Sequence, residues 1–112
     1  MPRRAAAAPA PGRPVRGSRT GRPIMALLDL LGRRWARRVL WELRDEPVGT
    51  FRELQQRCGG VSSSVLTDRI NELRAAGIVE RSEAGYQLSA RGRELLPAVR
   101  ALDRWAAGWT NL

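Results

Sequence analysis

Six polar residues, Ser62, Ser63, Ser64, Thr67, Asp68 and Asn71, crowd into ten consecutive positions of the chain. Hydroxyl, amide and carboxylate groups of this size can donate to and accept from the edges of base pairs in a major groove, and an asparagine can pair bidentately with adenine. Leu66, Ile70 and Leu73, spaced by four and three, lie on the opposite side of the same helix. One face would therefore be buried, and the other small, polar and open to close approach. Recognition helices often touch bases with their N-terminal residues, so Ser63, Ser64 and Thr67 are stronger base contacts than Asn71. Asp68 would repel phosphate, yet it could accept from a cytosine amino group or pair internally with Arg69 or Arg74. Arg52, Arg69, Arg74 and Arg81 flank the segment and would meet phosphates, which set affinity and register rather than sequence preference.

Such side chains need a helix held at a fixed angle, and the flanking residues supply one. Thr50-Phe51-Arg52-Glu53 has the form of a capping box, in which Thr50 accepts from the Glu53 amide and Glu53 reaches back. Phe51 and Leu54 give this first helix an apolar edge, and Gly59-Gly60 end it with freedom for positive φ. Ser62 is a good N-cap for the second helix, which closes at Gly77. Two short helices joined by a tight turn make a helix-turn-helix.

Upstream, the segment 24–31 is apolar except for Asp29, so it is expected to be buried on nearly every side. Gly32 should break it, and a helix from Arg33 to Arg44 should follow with Trp35, Val39, Leu40 and Leu43 on one face. Residues 45–49 read as a turn. Downstream, Ile78–Arg81 and Tyr86–Leu88 read as two short strands joined by Ser82–Gly85, a small wing. Ser89 caps a last helix with Leu95, Leu96, Val99, Leu102, Trp105, Ala106 and Trp109 at helical spacing, and Pro97 predicts a kink near 93–97. The fold class is mainly α with a small β-hairpin, α+β.

The charge is one-sided. All 20 basic residues are arginine, against 11 acidic ones, for a formal +9 over 112 residues. That sign points to a polyanion, nucleic acid or an anionic surface. Residues 1–22 hold six arginines and no acid in an Ala/Pro/Gly-rich background, so this stretch is expected to be disordered, with residues 23–112 as the folded domain. The tail is either a basic arm following phosphates or entering a minor groove, or a solubilising extension, or the product of an upstream start codon. No apolar run reaches the length of a membrane span, prolines interrupt any signal-peptide core, and one cysteine allows no intrachain disulfide. A cytoplasmic, nucleoid-associated location is expected. With no histidine and one cysteine, no zinc site, cofactor or catalytic residue is expected.

Taken in order, the elements describe a winged helix-turn-helix, and the residues resemble the HxlR-type bacterial transcription regulators, relatives of the MarR-like regulators. The matching features are Pro23, Leu27-x-Asp29-Leu30-Leu31-Gly32-x-Arg34-Trp35, Phe51-x-Glu53-Leu54, Gly60-Val61-Ser62 and Leu66-Thr67, then Leu73, Gly77-Ile78-Val79-x-Arg81, Tyr86-x-Leu88-Ser89, Gly92, Leu96-Pro97 and Trp105. They span about residues 22–109. The resemblance implies a homodimer on double-stranded DNA, paired through the first and last helices. The residues point the same way, since one small domain cannot bury both the first helix and the last stripe. The expected interface comprises Leu27, Leu28, Leu31, Leu95, Val99, Leu102, Trp105 and Trp109.

Three departures from the family pattern stand out. The redox-sensing branch has a cysteine just before the first helix's proline, where this chain has Arg22; Cys58 lies instead in the helix-turn-helix, where a buried structural thiol is expected. The wing lacks the usual basic, proline-containing loop and carries Glu83. Asp68 sits on the outward face of the reading helix. Two other readings compete with a sequence-specific regulator: a winged-helix interaction module anchored by Trp41 or Trp109, and a nucleoid-type binder driven by the arginine tail. No small-molecule effector is indicated by the residues, and no nucleophile–base pair, metal cluster or phosphate loop suggests an enzyme.

Overall fold

A computed structural model describes residues 8–109. Five helices and one hairpin follow in the order α1 (Pro23–Gly32), α2 (Ala36–Glu42), α3 (Phe51–Arg57), α4 (Ser63–Ala75), β1 (Val79–Ser82), β2 (Gly85–Leu88) and α5 (Ala90–Trp109). The antiparallel hairpin pairs Val79 with Leu88 and Ser82 with Gly85, leaving a two-residue connection. Leu40, Leu43, Leu54, Leu66, Leu73 and Leu88 form the centre of the core, each fully buried.

The two helices of the central unit begin and end by the same local chemistry. Thr50 Oγ1 accepts from the Glu53 amide at 3.1 Å, and Ser62 Oγ from the Val65 amide at 3.3 Å. At the far end of α3, the Gly60 amide returns to Gln55 O and the Gly59 amide to Gln56 O, both at 3.0 Å. α4 repeats this paired closure, from Ile78 to Leu73 O and from Gly77 to Arg74 O, both at 2.9 Å. Such closures need a left-handed residue just past the helix, supplied here by Gly59 (φ 82°) and Gly77 (φ 76°). One arm of the expected capping box takes another route: Glu53 Oε1 accepts from Arg57 at 3.0 Å, because an i,i+4 guanidinium is within reach.

Elsewhere the structure departs from the sequence reading. α2 starts at Ala36, three residues later than expected, because Trp35 adopts a left-handed φ of 74°, the only non-glycine residue among those described to do so. Val48, read as part of a turn, is fully buried and bridges Tyr86 through two backbone hydrogen bonds of 2.9 and 2.8 Å. That bridge sets Val48 O where a Cβ on residue 85 would have to lie, so glycine is required there. Within the single chain α1 turns Ala26 and Leu30 to the core and leaves Ile24 and Leu28 more than half exposed. α5, by contrast, runs as expected as one helix through Pro97 and is capped by Ser89, whose Oγ accepts from the Gly92 amide and donates to Gly77 O at the end of α4.

Residues 1–7, part of the tail expected to be disordered, lie outside the described residues. Residues 8–22 follow a turn-rich course beside α1. Gly12 donates to Gly21 O, Val15 and Ser18 bridge each other, and the Arg16 amide reaches Asp29 Oδ2 at 3.2 Å. Pro9 is buried, and backbone pairing within the tail shapes the rest of this path.

Candidate nucleic-acid interface

The polar residues singled out in the sequence come together on α4 and at its start. Ser62, Ser63, Ser64, Thr67 and Asn71 are exposed, whereas Leu66, Ile70 and Leu73 on the opposite side are buried. Asp68 is half-buried, toward the flank of this face. Ser62 is both cap and surface, since its hydroxyl is spent on the Val65 amide. Ser63 Oγ accepts from Gln55 Nε2 at 3.2 Å, and the same amide donates to Val61 O at 2.8 Å. Gln55 thus ties α3 to the start of α4 and fixes the angle between them. Nothing local in the sequence marks it for this role, because its partners are six and eight positions away.

The four arginines assigned to phosphates part company. Arg52, Arg74 and Arg81 are exposed, on α3, at the end of α4 and on β1. Arg69 is not aimed at solvent. Its Nε donates to Arg34 O at 2.8 Å and its NH1 to Glu72 Oε1 at 2.5 Å, with only 17% of the side chain accessible. Glu72 is the one buried charged residue among those described, and its second oxygen accepts from Arg33 at 2.5 Å. A buried carboxylate is costly unless its lone pairs are filled, and two guanidiniums from different elements fill them. The result clamps α4 to the α1–α2 junction, and Arg69 belongs to that clamp rather than to a set of phosphate contacts.

The wing offers little positive charge. Glu80 accepts from Gln87 at 2.8 Å, Ser82 donates to Gln87, and exposed Glu83 sits in the turn. Its one cation, Arg81, lies 5.1 Å from the centre of the Tyr86 ring. Cys58 is fully buried at the end of α3, and burial, aided by Glu42, pushes its thiol up to about 11. A thiol so raised is protonated near neutral pH and a poor nucleophile.

The eight residues assigned to a subunit interface divide in two. Leu27, Leu31, Leu95 and Val99 are half-buried, and all but Leu27 pack on the core. Leu28, Leu102, Trp105 and Trp109 stand in solvent, the last three at 60–66% exposure, with the two indole rings 5.5 Å apart. Among the described residues, no helix is long and apolar enough to cross a membrane, and no cluster of His, Cys, Asp or Glu could hold a metal ion.

A capped helix pair, an exposed polar face on the second helix and a two-stranded hairpin ahead of a long C-terminal helix define a winged helix-turn-helix. The model of the HxlR-like helix-turn-helix family matches residues 30–112, and the chain belongs to that family. YdzF of Bacillus subtilis, named an uncharacterized HTH-type transcriptional regulator, is 31% identical over 90 residues, covering 74% of this chain and 83% of YdzF. A similarly named Synechocystis protein is 33% identical over 94 residues, 78% of this chain and 69% of that one. The crystal structure of quinone-bound YodB from B. subtilis superposes with a TM-score of 0.71 at 29% identity, covering 77% of this chain and 97% of that one. The chain is accordingly a DNA-binding transcription regulator.

Proposed function

We propose that the chain reads a specific duplex sequence as a homodimer, with α4 in the major groove and Ser63, Ser64 and Thr67 on base edges. One observation carries this reading: α4 turns its small polar residues outward while Leu66, Ile70 and Leu73 are buried behind them. Arg52 and Arg74 flank that face as phosphate contacts, and the Glu72 clamp holds the helix at one angle. The exposed Leu102, Trp105 and Trp109 supply an apolar surface for a second copy, which would set two reading helices roughly 34–36 Å apart, one turn of duplex. The arginine-rich tail adds affinity without sequence preference. A cytoplasmic location fits these roles.

The test is competition binding with a Ser64/Thr67/Asn71 triple alanine variant, whose core positions are untouched. Discrimination between operator and unrelated duplex should fall by about 1–3 kcal/mol for each bidentate pairing with a base that the variant removes. A folded variant that kept the wild-type preference would favour an interaction module instead. YodB was crystallised with a quinone bound, so small-molecule control is compatible with this architecture; here the buried, protonated Cys58 is assigned a structural part rather than a sensing one.

A further inference from the structure

Between α2 and the exposed half of α5 runs a groove of about 630 Å³, within the size range of small-molecule sites. Trp35 and Trp41 form one wall, and Leu102 on α5 faces them. Arg44 and Arg100 sit against the Trp41 ring at 4.3 and 5.9 Å, which fixes that wall in place. Arg34 and Arg37 stand exposed at the rim, opposed by Asp103 on the α5 side. Neither rim arginine has an acidic partner among the described residues, whereas Arg38 beside them is spent on Glu42 and Arg57 O. Arg34 also lies over the Trp35 ring, 5.8 Å from its centre. Indole walls with two cations lacking an acidic partner among the described residues on one side, and a carboxylate on the other, suit a planar ring bearing one negative group. That group would lie toward Arg34 and Arg37, away from Asp103.

The groove also touches the reading helix through one peptide. Arg34 O is the acceptor of Arg69 Nε on α4, and the next residue is Trp35 with its left-handed φ of 74°. A non-glycine residue in that region is strained and persists only when its neighbours hold it. A ring packed on the Trp35 indole acts on the same peptide that anchors α4. We propose that this groove is an effector site for an aromatic carboxylate, and that filling it changes DNA affinity through the Arg34–Arg69 bond. The binding half stands apart from the DNA-reading proposal; the regulatory half rests on it.

The full-length protein would be titrated with 2-naphthoate, followed by tryptophan emission and calorimetry, beside the neutral 2-naphthamide. Saturable binding by the acid, weakened about tenfold or more for the amide and for an Arg34→Gln/Arg37→Gln double variant, is expected from the loss of charge-assisted hydrogen bonds. Ala106→Phe, which fills the groove from an exposed position, should abolish binding with both arginines intact. Absence of saturation in a dimeric sample, meaning that the second copy already occupies the groove, overturns the site; so does equal binding of acid and amide. Duplex anisotropy with and without naphthoate reads the regulation. Naphthoate should shift affinity at least severalfold in wild type and much less in Arg69→Lys, which keeps a charge near Glu72 but loses the guanidinium Nε donor to Arg34 O. An unchanged shift in Arg69→Lys overturns the coupling. A protein that binds naphthoate but no duplex at all defeats the DNA-reading proposal and leaves the site standing.

Discussion

α4 and the second half of α5 carry the same kind of sequence pattern with opposite outcomes. Both are amphipathic helices with apolar residues at spacings of three and four. On α4 the stripe of Leu66, Ile70 and Leu73 is covered by the chain itself. On α5 the stripe enters the core at Leu96, half-buries Val99 and then leaves the protein, with Leu102, Trp105 and Trp109 in water. Periodicity states that a face requires cover; it does not state which molecule provides it.

That contrast is tested most forcefully from the α4 side. Leu66→Ala removes a fully buried side chain and should lower unfolding stability by about 2–5 kcal/mol, the range for cavity-forming core truncations, as read by chemical denaturation. Leu102→Ala, at a position 66% exposed in the single chain, should leave a monomeric sample within about 0.5 kcal/mol of wild type. Equal losses would mean that α5 finds intramolecular cover after all.

A second experiment approaches the difference from the α5 side. Leu102→Glu/Trp105→Glu should give a folded monomer, because charge cannot be carried cheaply into a desolvated contact. DNA binding should weaken with it, since one half-site loses its partner. Light scattering that found wild type already monomeric at micromolar concentration would remove the dimer from the proposal.

Smaller effects test the local devices that hold the reading unit in place. Gly77→Ala puts a Cβ at φ 76° with no obstructing atom nearby, so its cost should be that of the left-handed conformation alone, about 1–2 kcal/mol by thermal melting. The Cys58 thiol, raised from 9.0 to about 11, makes the mildest prediction. Between those values the unfolded chain loses this proton before the folded one does, so this contribution to stability is present at neutral pH and declines as pH rises from about 9 to 11. A Cys58→Ala variant should lack that component of the alkaline decline, and alkylation of native Cys58 at pH 7 should proceed only through unfolding.

Much of the reading unit was legible because its determinants are local. Thr50, Ser62 and Ser89 are caps within three residues of the amides they serve, and Gly59 and Gly77 end helices through bonds inside their own turns. Side-chain periodicity likewise placed Leu54, Leu66, Ile70 and Leu73 in the core. The polar face of α4 followed by exclusion, since a helix with one buried side exposes the other.

The caps and the glycine closures are thus written in the chain itself, each set by interactions within a few residues, and the hairpin and the apolar faces are marked there by the pattern of residue types. Long-range partners are settled only by packing. Glu72 meets Arg33 across thirty-nine positions, and Arg69 meets Arg34 O across thirty-five; no spacing rule announces such pairs, and they turned an expected phosphate contact into a clamp. Val48 became a strand partner of Tyr86 because the folded hairpin offered its backbone groups. Trp35 took a left-handed φ, unfavourable for an isolated residue of its type, where its surroundings hold it. Local rules choose the elements because chain entropy makes nearby contacts the cheapest to form; the alignment of distant groups exists only after those elements have packed.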